Sequence, residues 1–201
     1  MPPGAELLVD GSLLGWVTRA GRAAGWAVCG GECRVVAGAG DIMTRRTFRD
    51  FFLHLEFCCP RMPNAIGQAK ANSGVFLQGR YEVQILDSYG VARSDDRDCG
   101  AIYGQHAPRE NASLPAAHWQ SFDAAFVSAR DLGRGVIAPA RVTVQHNGVT
   151  IHDDVALAAA TPGALDERLT TPGPLLLQDH RAPVVFRNVW VIDAGVSRTG
   201  G

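Results

Sequence analysis

No run of apolar residues in this chain approaches the ~20 that a membrane helix needs. The opening stretch, MPPGAELLVD, has neither the charged n-region nor the long apolar h-region of a secretory leader. As it reads, the chain points to the cytoplasm. Paired cysteines are missing too: Cys29, Cys33, Cys58, Cys59 and Cys99 are odd in number, with no CxxC pair and no histidine at zinc-finger spacing. Cys58 and Cys59 are adjacent and would point to opposite faces of a strand, so free, structural thiols are expected. Charge of one sign is scarce. The 19 Lys and Arg offset 20 Asp and Glu, and the basic residues are scattered. With three Tyr and four Trp available for stacking, a nucleic-acid partner is not expected, nor an anionic membrane. Helical periodicity is the last absence. No window longer than about ten residues carries a convincing 3.6-residue repeat.

What the chain has instead is short alternating runs broken by 23 Gly and 11 Pro. DFFLHLEF alternates, with Phe52, His54 and Glu56 on one side and Leu53, Leu55 and Phe57 on the other. RVTVQHNGVTIHDDV reads as a hairpin around Asn147-Gly148. PVVFRNVWVID and PLLLQDH are further strand signals. SFDAAFVSARDL fits a short helix, but Phe122, Ala124, Phe126 and Ser128 also follow a period of two, and strand is preferred. Residues 156–174 carry no pattern and read as a surface loop. There are no internal repeats and no linker. The sum is one all-β domain over residues 1–201, of roughly a dozen strands in a two-sheet antiparallel sandwich or jelly roll.

Polar groups within strand-like runs mark the candidate site. In RYEVQILDSY, alternation puts Glu82 and Gln84 on one face and Tyr81, Val83 and Ile85 on the other. Asp87 falls on the opposite face unless a β-bulge returns it to the side of Glu82. The spacing is similar to the ExDxxE signature of lichenase- and laminarinase-type glycanases, with Gln84 in the place of the middle acid. A retaining glycosidase needs two carboxylates ~5 Å apart, which that glutamine does not supply. His54 and Glu56 share a face, as do Gln178 and His180. Together they suggest a polar sheet face that hydrogen-bonds a sugar, with Trp119 or Tyr103 stacking on its ring. A solvated outer face is the plain alternative. His106, His118, His146 and His152 read as surface histidines. Asp95, Asp96 and Asp98 cluster in DSYGVARSDDRDCG and offer calcium ligands without the spacing of a known loop; no metal or other cofactor is expected.

Several ordered segments carry a resemblance. LLVDGSLLGWVTRAGRAAGWAV, GDIMTRRTFRDFFLHLEF, NSGVFLQGRYEVQILDSYG, CGAIYGQHAP, HWQSFDAAF, ARVTVQHNGV and GPLLLQDHRAPVVFRNVWV resemble, in order, the 3-keto-disaccharide hydrolase domain family over about residues 6 to 193. Arg181 stands where that family most often has Gly, so the turn after His180 is expected to differ. The resemblance implies a concanavalin A-like jelly roll and cleavage of glycosides already oxidised to a ketone at C3. A base and an acid then suffice, without a carboxylate nucleophile. On that reading Glu82 and Asp87 form the acid/base pair with His180 as the alternative base. Asn72, Arg80, Gln84 and Gln178 hydrogen-bond the sugar or its enolate, Trp119 stacks, and His54 and Glu56 belong to the same face. Two alternatives remain open: a lectin-like module without turnover, and a glycosidase acting on unoxidised sugar.

Overall fold

The computed structural model describes residues 1–195. Its strands form two antiparallel sheets packed face to face, the sandwich the alternation predicts. The larger sheet runs Val149–Leu157, Ala140–His146, Trp119–Val127, Phe51–Cys58, Val185–Asp193, Glu32–Arg34, Ala27–Cys29, with Glu6–Leu7 also paired to Val185–Asp193. The smaller runs Trp16–Thr18, Ile42–Thr44, Leu176–Leu177, Ser73–Leu77, Tyr81–Ile85. A separate two-stranded ribbon joins Arg130–Asp131 to Ile137–Ala138. Among the described residues no helix is long and apolar enough to cross a membrane.

The period of two dictates which side chains meet between the sheets. Along Phe51–Cys58 buried and half-buried residues alternate, and Phe51, Leu53, Leu55 and Phe57 enter the core. At ~1.5–3 kcal/mol per buried large apolar side chain, that one edge of the strand contributes roughly 6–12 kcal/mol, an upper figure because the unfolded chain is itself partly collapsed. Trp119–Val127 is a nine-residue strand, as preferred over helix, and sends Phe122, Ala124 and Phe126 inward beside it. From the smaller sheet Val75, Leu77, Tyr81, Val83 and Ile85 close the core. Asn147 and Gly148 both take positive φ, 52° and 80°, as a two-residue primed turn demands, and His146 pairs with Val149 across it.

The outward face of the smaller sheet forms the site. The registers align Val17, Met43, Leu176, Phe76 and Glu82 in one row across all five strands; in the next, Gly74 pairs with Gln84 and its carbonyl accepts from Gln178 N at 3.0 Å. The unpatterned segment from 158 to 175 carries no strand but is more than a surface loop, because it straps across this face. Gly163 comes to lie against Phe76. The strap and a second loop also cover the edge strand Tyr81–Ile85, which would otherwise offer open ladder groups. Thr161 Oγ1 accepts from Glu82 N at 3.0 Å, Ala101 O accepts from Gln84 N at 2.9 Å, and Glu82 O accepts from Tyr103 N at 3.1 Å.

Two histidines expected at the surface are interior. His146 packs against Phe57 and Phe122 and donates from Nε2 to Gln120 Oε1 at 2.9 Å. His152 reaches Gly100 O at 2.8 Å. Hairpin alternation turns His146 inward, and His152 falls opposite Val144, next to the register irregularity between Val142 and Val144. Burial pushes the His146 imidazole down to about 4, and burial is also the main cause that lowers His152. Between pH 4 and 6.5 the unfolded His146 therefore binds a proton that the native one refuses, so the contribution of this residue to stability is full near neutrality and falls as pH drops through that window. In urea melts at pH 7.5 and pH 5, the change in stability between the two pH values should differ between the parent and a His146→Gln variant by about 2 kcal/mol, the His146 share at 1.36 kcal/mol per pKa unit.

Candidate active site

A pocket of about 260 Å³ opens on the polar row of the smaller sheet, lined by Asn72, Glu82, Gln84, Gln178 and His180, together with Gln68, Tyr103, Pro162 and Gly163. Five of the ten residues singled out from the sequence are thus brought to one place. Glu82 is 3% exposed, and no side-chain hydrogen bond or ion pair reaches its carboxyl among the described residues. The carboxyl fits because Gly74, on the neighbouring strand, has no side chain: a Cβ there would lie 2.3 Å from Glu82 Oε1. Desolvation, reinforced by the negative charge of Asp41, pushes Glu82 up to about 8. At neutral pH it is a carboxylic acid with a proton to give.

The amides beside it form a network. Gln68 Oε1 accepts from Asn72 Nδ2 at 3.1 Å and from Gln84 Nε2 at 3.0 Å, while Gln68 Nε2 donates to Arg97 O at 3.0 Å. Gln178 differs. Its Oε1 is buried without a partner among the described residues, an unsatisfied acceptor on a residue that lines the pocket.

Both walls of the pocket hang on Asp41, which does not line it. Asp41 Oδ1 accepts from Asp179 N at 2.8 Å, beside His180. Asp41 Oδ2 accepts from Arg19 Nε at 2.6 Å, and Arg19 Nη2 donates to Gly163 O at 2.6 Å. Asp179 in turn accepts from Gly38 N, Gly40 N and Arg181 N at 2.8, 2.9 and 2.9 Å. That last bond holds Arg181 at φ 71°, the left-handed conformation a glycine would take, so the turn after His180 is glycine-like despite the arginine. Asp41, Asp179, Gln68 and Gly74 were not signalled by the sequence pattern. Only the adjacency of Asp179 to His180 in QDH hinted at one of them.

Five sequence candidates lie elsewhere. Asp87 does not join Glu82, because the ladder between Ser73–Leu77 and Tyr81–Ile85 is continuous and has no bulge. The chain leaves the sheet after Ile85, Leu86 turns inward, and Asp87 pairs with Lys70 at 3.2 Å in a different cleft. Arg80 is consumed as a strut: Nε donates to Asp166 at 2.7 Å, and Nη1 and Nη2 to Thr171 O and Oγ1, each at 2.9 Å. His54, Glu56 and Trp119 belong to the outer face of the larger sheet, across the core from the pocket. There His54 pairs with Asp123 at 2.7 Å and stacks on Trp190, while Glu56 accepts from Arg187 Nε at 2.6 Å. The Arg187 guanidinium covers the Trp119 ring at 3.9 Å, leaving that face unavailable to a sugar. Asp95 and Asp98 accept backbone N–H bonds within their own turn, and no group of three or more His, Cys, Asp or Glu among the described residues is arranged for a metal ion.

A sequence profile of the 3-keto-alpha-glucoside-1,2-lyase-like domain matches residues 4–192. The chain belongs to this family. Among solved structures it is similar to a Parabacteroides distasonis protein assigned as a glycosyl hydrolase, with 33% identity, a TM-score of 0.86, and coverage of 96% of this chain and 84% of that one. A second assigned glycosyl hydrolase of the same organism matches at 21% identity and TM-score 0.69, covering 94% of each chain. The alginate lyase Aly36B shares the fold at 10% identity and TM-score 0.52, over 97% of this chain and 99% of that one. No curated protein matches. This member of the 3-keto-alpha-glucoside-1,2-lyase-like family is a carbohydrate-active, glycoside hydrolase-like domain. Asp41→Asn should move the Glu82 titration downward from about 8 while leaving it above the ordinary carboxylate range, since burial persists. Carboxyl ¹³C NMR of the two proteins reads this directly, and an unmoved Glu82 would show that the charge of Asp41 does not reach it.

Proposed function

We propose that the pocket takes a glycoside oxidised to a ketone at C3 and breaks its C1–O bond by elimination. The observation that carries this reading is Glu82: a buried, uncharged acid without an ion partner, in a polar pocket that also holds an imidazole. A C3 ketone acidifies the hydrogen on C2. His180 accepts that proton, and the electron pair of the C2–H bond forms an enolate with the C3 oxygen. As the ketone re-forms, a C1=C2 double bond is made, the C1–O bond breaks, and the leaving oxygen takes the proton of Glu82. Water then adds across C1=C2, its proton at C2 and its hydroxyl at C1, to give 3-keto-glucose. Gln178, Asn72 and Gln84 supply hydrogen bonds to sugar hydroxyls and to the developing enolate, where placed dipoles matter most. Tyr103 stands as the aromatic wall. A volume of about 260 Å³ suits one sugar ring and leaves the second group of a disaccharide outside.

The reading assigns acid work to a group that must be protonated, so activity should be lost as pH rises through about 8. Glu82→Gln should keep the fold, lower turnover at least ~100-fold and remove that alkaline limb. Asp87→Asn should leave turnover close to the parent, since Asp87 faces Lys70 and not the pocket. No resident metal enters the proposal, and EDTA treatment followed by gel filtration should leave turnover unchanged. The deciding assay follows plain trehalose and its 3-keto derivative by mass spectrometry. Cleavage of the keto form alone is expected. Cleavage of both would indicate an ordinary glycosidase, and binding of both without cleavage a lectin-like module.

A further inference from the structure

On the far side of the strap lies a second cleft of about 510 Å³, a volume in the range of small-molecule sites. Its floor is Val17 and Met43, in the same row of the sheet as Glu82. Arg19, Arg45, Arg80 and Arg168 also line it. The segment 161–166 partitions the two spaces: Pro162 and Gly163 face the sugar pocket, Leu165 and Asp166 the arginine cleft. Three inter-strand steps separate Met43 from Glu82, roughly 14 Å at about 4.8 Å per step. A ring held against Glu82 does not reach the arginines.

The charges in the cleft do not balance. Asp166 accepts from both Arg80 and Arg168, and Asp41 takes Arg19. Burial works against the Asp166 carboxylate, but hydrogen bonds from Arg80 and Arg168 outweigh it and hold it at about 2, so it stays charged throughout the working range. Arg45 has no carboxylate partner among the described residues; its Nε donates to Leu14 O at 3.2 Å, and both terminal nitrogens remain. Four guanidiniums thus face two carboxylates, a local excess of two positive charges in a chain whose formal net charge is −1. Arginine forks match the paired oxygens of planar or tetrahedral oxyanions. Arg80 sits fixed at the base, 2% exposed, while Arg45 and Arg168 stand exposed at the rim, Arg45 with both terminal nitrogens and Arg168 with the Nη1 beyond its bonds to Asp166 open to a ligand.

We propose that this arginine cleft is a second ligand site, separate from the sugar pocket, that binds a small oxyanion through a phosphate or carboxylate group. Arg45 and Arg168 provide the contacts, the unmatched guanidinium charge provides the attraction, and Val17, Met43 and Pro172 seat the apolar side of the ligand. Because its rim is exposed, the attraction is screened by salt over a Debye length of about 8 Å at physiological ionic strength.

Calorimetric titration of the full chain with inorganic phosphate, and separately with glucuronate, tests it, with glucose as the neutral control. Saturable binding of at least one anion is expected, with a dissociation constant below about 1 mM that weakens as sodium chloride is added. Phosphate alone would mark the ligand as a phosphate, and glucuronate alone as an acid sugar. The double variant Arg45→Gln/Arg168→Gln should lose affinity at least tenfold, with an unchanged circular-dichroism melt and unchanged binding of a 3-keto sugar. Arg93→Gln, an exposed arginine outside the cleft, should bind as the parent does. No binding of either anion, or equal binding by the double variant, would overturn the proposal.

Discussion

One guanidinium holds the functional face together. Arg80 sits at the turn between Ser73–Leu77 and Tyr81–Ile85 and reaches into the strap with all three of its nitrogens, while its own carbonyl accepts from Thr161 N at 2.8 Å and Thr161 Oγ1 at 3.0 Å. A buried charge costs several kcal/mol unless it is paired and hydrogen-bonded, and this one has a carboxylate partner in Asp166 and donates three hydrogen bonds. Arg80 shares the anchoring of the strap with a backbone bridge between Phe48 and Gly173 and with the bond from Leu165 N to Gly79 O at 2.8 Å. Everything the face does follows from the strap being down. Gly163 lies on Phe76, the edge strand is closed, and water is kept from Glu82.

The chemistry of the site comes from how this cover is distributed. Glu82 and Gln84 belong to adjacent rows of one strand, yet their surroundings differ. Gln84 is tied through Gln68 to Asn72, so the amides are oriented before a ligand arrives. Glu82 has been left with a gap at Gly74 and a like charge at Asp41. One strand therefore offers fixed dipoles and a neutral acid side by side. Asp41 has two roles: the carboxylate that adds to burial in raising Glu82 is also the brace between the His180 turn and the Gly163 wall.

Much of the fold was legible because a half-buried strand writes its burial into alternate residues. DFFLHLEF, SFDAAFVSARDL and the Asn147-Gly148 hairpin took the form their patterns predict. Alternation names a face, however, and not which sheet carries it. His54 and Glu56 look like Glu82 and Gln84 on paper but stand on the outside of the other sheet. Nor does it say where a strand ends, which is why Asp87, two residues beyond Ile85, was drawn into the site by an imagined bulge. The burial of His146 and the strut role of Arg80 depend on contacts with segments 26 and more than 80 residues away, to Gln120 and Asp166. No local window contains those partners. The same holds for Asp41 and Asp179, which lie 138 residues apart in the chain.

The gap at Gly74 also ties two positions into a single unit of volume. Any side chain at 74 occupies the space that the Glu82 carboxyl now fills, and any acid of different length at 82 either leaves that space empty or overfills it. Changes in the reach of the acid, whether by drift or by design, are therefore constrained to come in pairs: a shorter acid at 82 admits a methyl group at 74, and the present glycine fits the glutamate it faces.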